Sequence, residues 1–321
     1  MVGPAGAKQV MSRRRASGRS SSGFVVALAR LLVCAGVSCL HDPASAPEKP
    51  SRFRVVVISL DGLRPDAITA ANAPTLARLA TEGAAATNAQ TVLPSLTLPA
   101  HTSMVTGLVP QRHGITWNDD TTPPEPVDLI TIFDFTKQAG YTSAMFVGKS
   151  KLLPLVHPGA PTKASIPPIG EIWLAEKVGA QVLAYLSVAT PRPNLMFIHL
   201  PDIYLAGHGY GWMSAPYFAA VRHTDSVVAN IWQALKQTFG SDLTLIVTAD
   251  HGGSGNGHSD GSSLATTIPW IAWGNGVTPR VASSDIRVVD TGPTVLWLLG
   301  LSPPSDWDGV PVKSAFPALA S

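Results

Sequence analysis

The chain has 321 residues, 45% of them apolar, and a net charge of only +2. That is enough apolar material for a sizeable core in one large domain or two small ones. Its one dense basic cluster is Arg13-Arg14-Arg15, so the clustered basic stripe of a nucleic-acid-binding surface is missing and no nucleic acid polymer is expected as a partner.

The basic cluster opens a leader. It is followed by an apolar stretch, Phe24–Leu40, broken at Arg30, and then by the small residues Ala44, Ser45 and Ala46. Basic, apolar, then small is the order of a secretory signal. The stretch is too short and too charged to be a convincing membrane span. Export to a periplasmic or extracellular space is therefore expected. Ser12-Arg13-Arg14 is a weak twin-arginine signature, and Gly36-Val-Ser-Cys39 is a poor match to a lipoprotein cleavage site, which makes anchoring at Cys39 the minor alternative. Both cysteines, Cys34 and Cys39, fall in this leader. Its removal leaves a mature chain without disulfides or thiolate ligands. The expected division is residues 1–46 as export segment, 47–52 as linker and 53–315 as one catalytic domain.

From Phe53 onward strands and helices alternate. Arg54–Leu60 is a β-branched run suited to a strand buried on both faces. Ala73–Thr81 has helical spacing and is stopped by Gly83. Leu129–Gln138 reads as a helix closed by Gly140, and Ser143–Val147 as a short strand. Pro-rich 153–168 reads as a loop, a candidate rim over a site. Ile172–Ser187 and Tyr217–Phe239 are the longest helical patterns, the second ended by Gly240. Leu195–Leu200, Leu243–Thr248 and Ile268–Trp273 read as strands, and Thr294–Leu299 as a short apolar helix. Such alternation predicts an α/β domain with a mostly parallel sheet and helices on both faces.

Three of the strands end in metal-binding side chains: Asp61 after the first, Asp202 and His208 after Leu195–Leu200, and Asp250-His251 after Leu243–Thr248. In a parallel sheet the carboxyl ends share one edge, where ligands bind. Asp and neutral His suit zinc, and they also admit manganese or iron. Gly252 and Gly253 let the chain turn sharply after the last pair. His258 follows in a Gly/Ser-rich loop; such a His is usually solvent-exposed, but nearness to Asp250 and His251 raises the ligand reading. Pro94-Ser-Leu-Thr97-Leu-Pro99-Ala-His101 opens a further helix, with Pro99 in its first turn and Thr97 just ahead as a potential N-cap. A helix N-terminus attracts phosphate, and a hydroxyl there becomes a nucleophile if a metal lowers its pKa. Ser95 is the rival hydroxyl, and plain capping is the commoner task for Thr at such a place. Asn118 has the chemistry to donate an amide N–H to a developing oxyanion, although an isolated Asn is more often a turn residue.

In order along the chain, Val-Ile-Ser-Leu-Asp61-Gly, Pro94-Ser-Leu-Thr97-Leu-Pro-Ala-His101, Thr106-Gly with His113-Gly-Ile, Gly207-His208, Val-Thr-Ala-Asp250-His251-Gly, and Gly257-His258 before Ile268-Pro-Trp-Ile-Ala-Trp-Gly resemble the alkaline phosphatase superfamily, and within it the nucleotide pyrophosphatase/phosphodiesterase (type I phosphodiesterase) family. The resemblance spans roughly Phe53 to Gly309 and implies an alkaline-phosphatase-like three-layer α/β/α sandwich. It further implies two divalent ions, zinc above all. One would be held by Asp61, Asp250 and His251 and would bind and activate the Thr97 hydroxyl. The other would be held by His208, His258 and an acid ahead of His208. Thr97 would attack phosphorus and form a phospho-threonine intermediate, with Asn118 stabilising a phosphoryl oxygen.

Two positions depart from that pattern. The usual acid for the second zinc lies four residues before the Gly-His histidine, and here that residue is Tyr204. Asp202 is the nearest acid. If the strand ran on, residues two apart would share a face, and Asp202 would reach the metal or support a ligand. Second, Leu98 and His199 stand where nucleotide-cleaving relatives carry aromatics that grip the base. Tyr204, Tyr210, Trp212 and Trp117 are possible replacement surfaces, with ordinary packing at least as common a role. The implied function is an exported metal-dependent hydrolase of small phosphodiester or pyrophosphate substrates. The alternatives are a phosphomonoesterase or phosphonate hydrolase on the same scaffold, or a weakly active or non-catalytic phosphate-binding relative. A monoesterase needs extra positive charge, for which Arg64, Arg112, Lys149 and Lys151 are the nearby candidates. A sulfatase would carry its oxidisable Cys or Ser in a different motif.

Overall fold

A computed structural model describes residues 53–120, 126–279 and 285–319. The leader, the linker and both cysteines lie outside the described residues. The strands are β1 (Arg54–Leu60), β2 (Ala84–Gln90), β3 (Ser143–Val147), β4 (Lys163–Ser165), β5 (Leu195–Leu200), β6 (Leu243–Thr248) and β7 (Thr267–Gly274). The α-helices are α1 (Pro74–Glu82), α2 (Thr97–Thr106), α3 (Pro110–His113), α4 (Ile132–Gln138), α5 (Ala175–Val188), α6 (Asp202–Tyr210), α7 (Ala215–Phe239), α8 (Ser263–Thr266) and α9 (Thr291–Leu298).

The strands form one sheet in the order β2-β7-β6-β1-β5-β3-β4. β6, β1, β5, β3 and β4 run parallel, while β7 is antiparallel to both β6 and β2. β1 sits at the centre because Val55, Val56, Val57 and Ile58 are apolar on both faces, and a central strand is the place where neither face meets water. Helices α1, α5 and α7 pack with one another and on the strands, and α2, α4 and α9 form a second group. The result is the expected α/β/α sandwich.

Several boundaries shift for local reasons. The helix read from Leu129 starts at Ile132. Thr131 caps it reciprocally with Asp134: its hydroxyl accepts from Phe133 N–H, and the Asp134 carboxylate accepts from Thr131 N–H. The helix read from Ile172 starts at Ala175. Trp173 N–H donates to Gly148 O and Ile172 bridges to Lys149, so this stretch is pinned to the end of β3. Thr294–Leu299 begins one turn earlier, at Thr291. The Pro-rich loop supplies a 3-10 turn, Ser150–Leu155, and the edge strand β4. β2 went unread because Ala-Ala-Ala-Thr-Asn-Ala-Gln carries little β-propensity; pairing with β7 makes it a strand. α6 went unread because two glycines interrupt it.

The N-terminus of α1 is capped from another helix. Asp225 of α7, almost fully buried, accepts from Thr75 N–H and Leu76 N–H, both at 2.9 Å. The two free amides and the positive end of α1 thus meet a carboxylate. Asp225→Ala is expected to lower unfolding stability by about 1–3 kcal/mol in urea titrations, the cost of orphaning buried donors. An unchanged midpoint would contradict this.

Candidate active site

Four neighbouring parallel strands, β6, β1, β5 and β3, deliver side chains to one edge of the sheet. Asp250 and His251 follow β6, Asp61 follows β1, His199 lies near the end of β5, and Lys149 follows β3. Adjacent strands lie about 4.8 Å apart, so residues distant in sequence become neighbours. Asp61, Asp250, His199 and His251 are all fully buried.

Each of three residues there has one atom fixed by the protein and one left over. Asp61 Oδ2 pairs with Lys149 Nζ at 2.6 Å and His199 Nε2 at 2.8 Å. Asp250 Oδ1 accepts from Gly62 N–H at 3.1 Å and His251 N–H at 3.0 Å. His251 Nδ1 lies 2.8 Å from Gly252 O, so it carries the proton and leaves the lone pair on Nε2. Asp61 Oδ1, Asp250 Oδ2 and His251 Nε2 are buried without a hydrogen-bond partner. His251 Nε2 lies 3.5 Å from each of the two oxygens. Donors on a tetrahedral zinc with bonds of 2.0–2.1 Å stand about 3.3 Å apart. Three orphaned donors at this spacing fit one divalent cation, and Asp61, Asp250 and His251 form the group that can hold it.

The charge balance agrees. Burial raises the Asp61 pKa, but Lys149 and His199 outweigh it and hold the group well below the ordinary carboxylate value. Asp250 is pushed up, first by burial and then by the charge of Asp61. Burial lowers the Lys149 pKa and the charges of Asp61 and Asp250 oppose that shift, so the two buried carboxylates have one cationic side chain beside them and a further cation would relieve the excess. Burial also lowers His101, His251 and His258 to about 4, which keeps the imidazoles neutral.

Thr97 is the first residue of α2, and Leu96 occupies the cap position. The Thr97 hydroxyl is fully buried and does not cap the helix; it accepts from Lys149 Nζ at 3.3 Å. Capping falls instead to Asn118, whose Oδ1 accepts from Leu98 N–H at 2.9 Å. That bond turns the Asn118 amide to the α2 N-terminus and leaves its Nδ2 hydrogens for another acceptor. The rival Ser95 is committed: its hydroxyl donates to His258 O, and its own carbonyl lies 2.6 Å from His258 Nδ1. His258 stacks on His251 with ring centres 3.7 Å apart, and the His208 ring centre is 5.0 Å from that of His258.

Asp202 does not join this group. It begins helix α6 rather than continuing β5, and its carboxylate accepts from Ala175 N–H at 2.6 Å, capping α5. At about 100° per residue, positions two apart in a helix face nearly opposite ways, whereas Tyr204 and His208, four apart, share a face. Their ring centres are 4.4 Å apart.

Sequence reasoning missed two supports. His199, read as a substrate-facing position, is a buried brace: Gly148 N–H donates to its Nδ1, which leaves its Nε2–H for Asp61. His101 lies between Ser59 Oγ at 2.9 Å and Thr97 O at 2.7 Å and fixes the first turn of α2. Only its place in the Pro-Ala-His block hinted at a role. Leu98 is buried in the core, Trp212 is buried with its indole N–H donated to Gly62 O, and Trp117 and Tyr210 are exposed.

The profile of the type I phosphodiesterase / nucleotide pyrophosphatase family matches residues 55–269. The chain belongs to that family. It is 30% identical over 162 residues to GPI ethanolamine phosphate transferase 1 of Emericella nidulans, covering 40% of this chain and 17% of that protein. It is 27% identical over 236 residues to ectonucleotide pyrophosphatase/phosphodiesterase family member 1 of Rattus norvegicus, covering 66% and 25%. The chain thus spans a quarter or less of the length of these relatives. Human ectonucleotide pyrophosphatase/phosphodiesterase 5 superposes with a TM-score of 0.67 at 16% identity, covering 83% of this chain and 99% of that one, a likeness of fold.

Two predictions follow from the geometry. His199→Ala removes one of the two partners of Asp61 Oδ2 and should weaken zinc binding about 10–100-fold in chelator competition; unaltered affinity would contradict the bracing role. The buried histidines also bear on stability. Unfolded, they take up protons near 6.5; folded, only near 4. Their contribution is complete above about 6.5 and is lost as pH falls toward about 4. The urea midpoint of the metal-free protein should drop across that window, and a flat midpoint would contradict neutral burial.

Proposed function

We propose that this chain is a metal-dependent hydrolase of small phosphodiester or pyrophosphate substrates that works through a phospho-threonine on Thr97. The observation that carries this reading is the Thr97 hydroxyl, buried at a helix N-terminus, free of capping duty and 3.3 Å from Lys149 Nζ. A divalent cation on Asp61, Asp250 and His251, zinc by donor chemistry, would lower the hydroxyl pKa and offset charge on the phosphoryl oxygens. The Thr97 oxygen gives up its proton to water and forms the new bond to phosphorus as the bond to the leaving group breaks on the opposite side, the departing oxygen taking a proton from water. The positive end of α2 and the Asn118 Nδ2 hydrogens meet the non-bridging oxygens. Water then displaces Thr97 and returns the hydroxyl.

Diesters are preferred over the phosphomonoester and phosphonate alternatives because the site is poor in cations. Arg64 is paired with Asp66, Arg112 with Asp306 and Asp308, and Lys151 donates to Asn118 O. Lys149 alone of the four reaches Thr97. Exposed Trp117 and Tyr210 are available to an apolar or aromatic leaving group. The leader sequence supports action outside the cytoplasm, where this small-substrate reading fits best. Among the described residues no helix is long and apolar enough to cross a membrane. A purely phosphate-binding relative is disfavoured because a non-catalytic domain has no use for a buried hydroxyl free of capping duty together with three orphaned donors.

The test sets an aryl phosphodiester and an aryl phosphomonoester side by side, with and without zinc. Diester turnover should depend on zinc and exceed monoester turnover. Thr97→Ala should lower it by at least about 10³-fold with metal content nearly intact. Wild-type turnover in that variant would remove Thr97 as nucleophile.

A further inference from the structure

Lys149 is 2% exposed and is gripped on three sides. Its Nζ lies 2.6 Å from Asp61 Oδ2, 3.3 Å from Thr97 Oγ1 and 3.0 Å from the centre of the Tyr204 ring. An ammonium on the face of a phenol is held by the ring quadrupole as well as by the carboxylate. The same Tyr204 ring leans on His208, 4.4 Å away centre to centre, and lies 5.7 Å from His258. The side chain between those two histidines is thus a phenol, protonated at neutral pH, and not a carboxylate. Of the further acids near in sequence, Asp202 is spent on Ala175 N–H, and Asp260 is exposed with its Oδ1 accepting from Ser262 N–H and hydroxyl. Beside Asp61, Asp250 and His251, no other group of three or more acids and histidines lies close enough to hold an ion among the described residues.

We propose that the site takes a single divalent cation, on Asp61, Asp250 and His251, and that the Lys149 ammonium, seated against the Tyr204 ring, supplies the second positive charge beside Thr97. Lys149 touches the reacting oxygen and is a catalytic residue in this scheme. Its N–H steadies the developing Thr97 alkoxide and then lies next to the phosphoryl oxygens as they gain charge. The two carboxylates cancel one divalent ion. The ammonium then leaves a single net positive charge, the complement of a phosphodiester monoanion. A second divalent ion would overshoot that charge, and the site offers it no acid. This inference rests on the hydrolase reading above and refines its charge and substrate class.

The experiment measures zinc bound to the intact wild-type protein by mass spectrometry of the metal and by calorimetric titration, with turnover of an aryl phosphodiester in parallel. One zinc per chain is expected. Tyr204→Asp, which restores an acid beside His208 and His258, should raise the count to two. Lys149→Gln should lower kcat by about 10²-fold or more while retaining its one zinc. Two ions on the wild type, an unchanged count in Tyr204→Asp, or full turnover in Lys149→Gln would each overturn the proposal. The wild-type stoichiometry does not depend on any variant folding. Thr97→Ala separates the two levels: if it is inactive while wild type carries two zinc ions, the hydrolase reading stands and only this inference falls.

Discussion

The site depends on how the Asp61 carboxylate is divided. Buried at the end of the central strand, it cannot stay charged without partners. Lys149 and His199 take one oxygen and leave the other facing Asp250 and His251. Bonding at Oδ2 is therefore what makes Oδ1 available and ionised. Asp250 repeats the device with backbone amides, and His251 with the Gly252 carbonyl. Each donor is oriented by its own second atom, so the three converge without relying on one another for position.

The fold supplies this economically. Four parallel strands end side by side, and the chain turns after each of them, which places five polar side chains on one short edge. α2 lies across that edge with Thr97 in its first turn, held by His101 from within and Asn118 from outside. The Thr97 hydroxyl is thereby relieved of capping. Gly253 shows how close the packing is: a Cβ there would sit 2.2 Å from the Trp212 ring.

Much of this was legible in the chain itself. Strand-end acids and histidines declare themselves because an apolar β-branched run followed by Asp or Asp-His has few other uses, and Thr97 stood out beside Pro99. What stayed hidden were interactions across strands. Lys149 was one of four nearby cations, and nothing local says that β3 lies beside β5 and puts its ammonium over Tyr204. His199 read as a substrate contact because a sequence does not reveal which face of a buried strand meets Asp61. Asp202 misled for the opposite reason: the chain turns from strand to helix at Pro201, and a two-residue spacing changes its meaning when the period changes from 2 to 3.6.

Tyr204 is the position at which this chain departs from the pattern its sequence resembles. Its ring seats the Lys149 Nζ at 3.0 Å on one side and leans on His208 on the other, so a phenol stands where the family resemblance led one to expect an acid.

The most direct test of the metal centre is zinc K-edge X-ray absorption on the protein loaded with one equivalent of zinc. A shell of light oxygen and nitrogen donors containing one imidazole, that of His251, is expected. A shell with two or more imidazoles would place the ion at His208 and His258 instead and contradict the account.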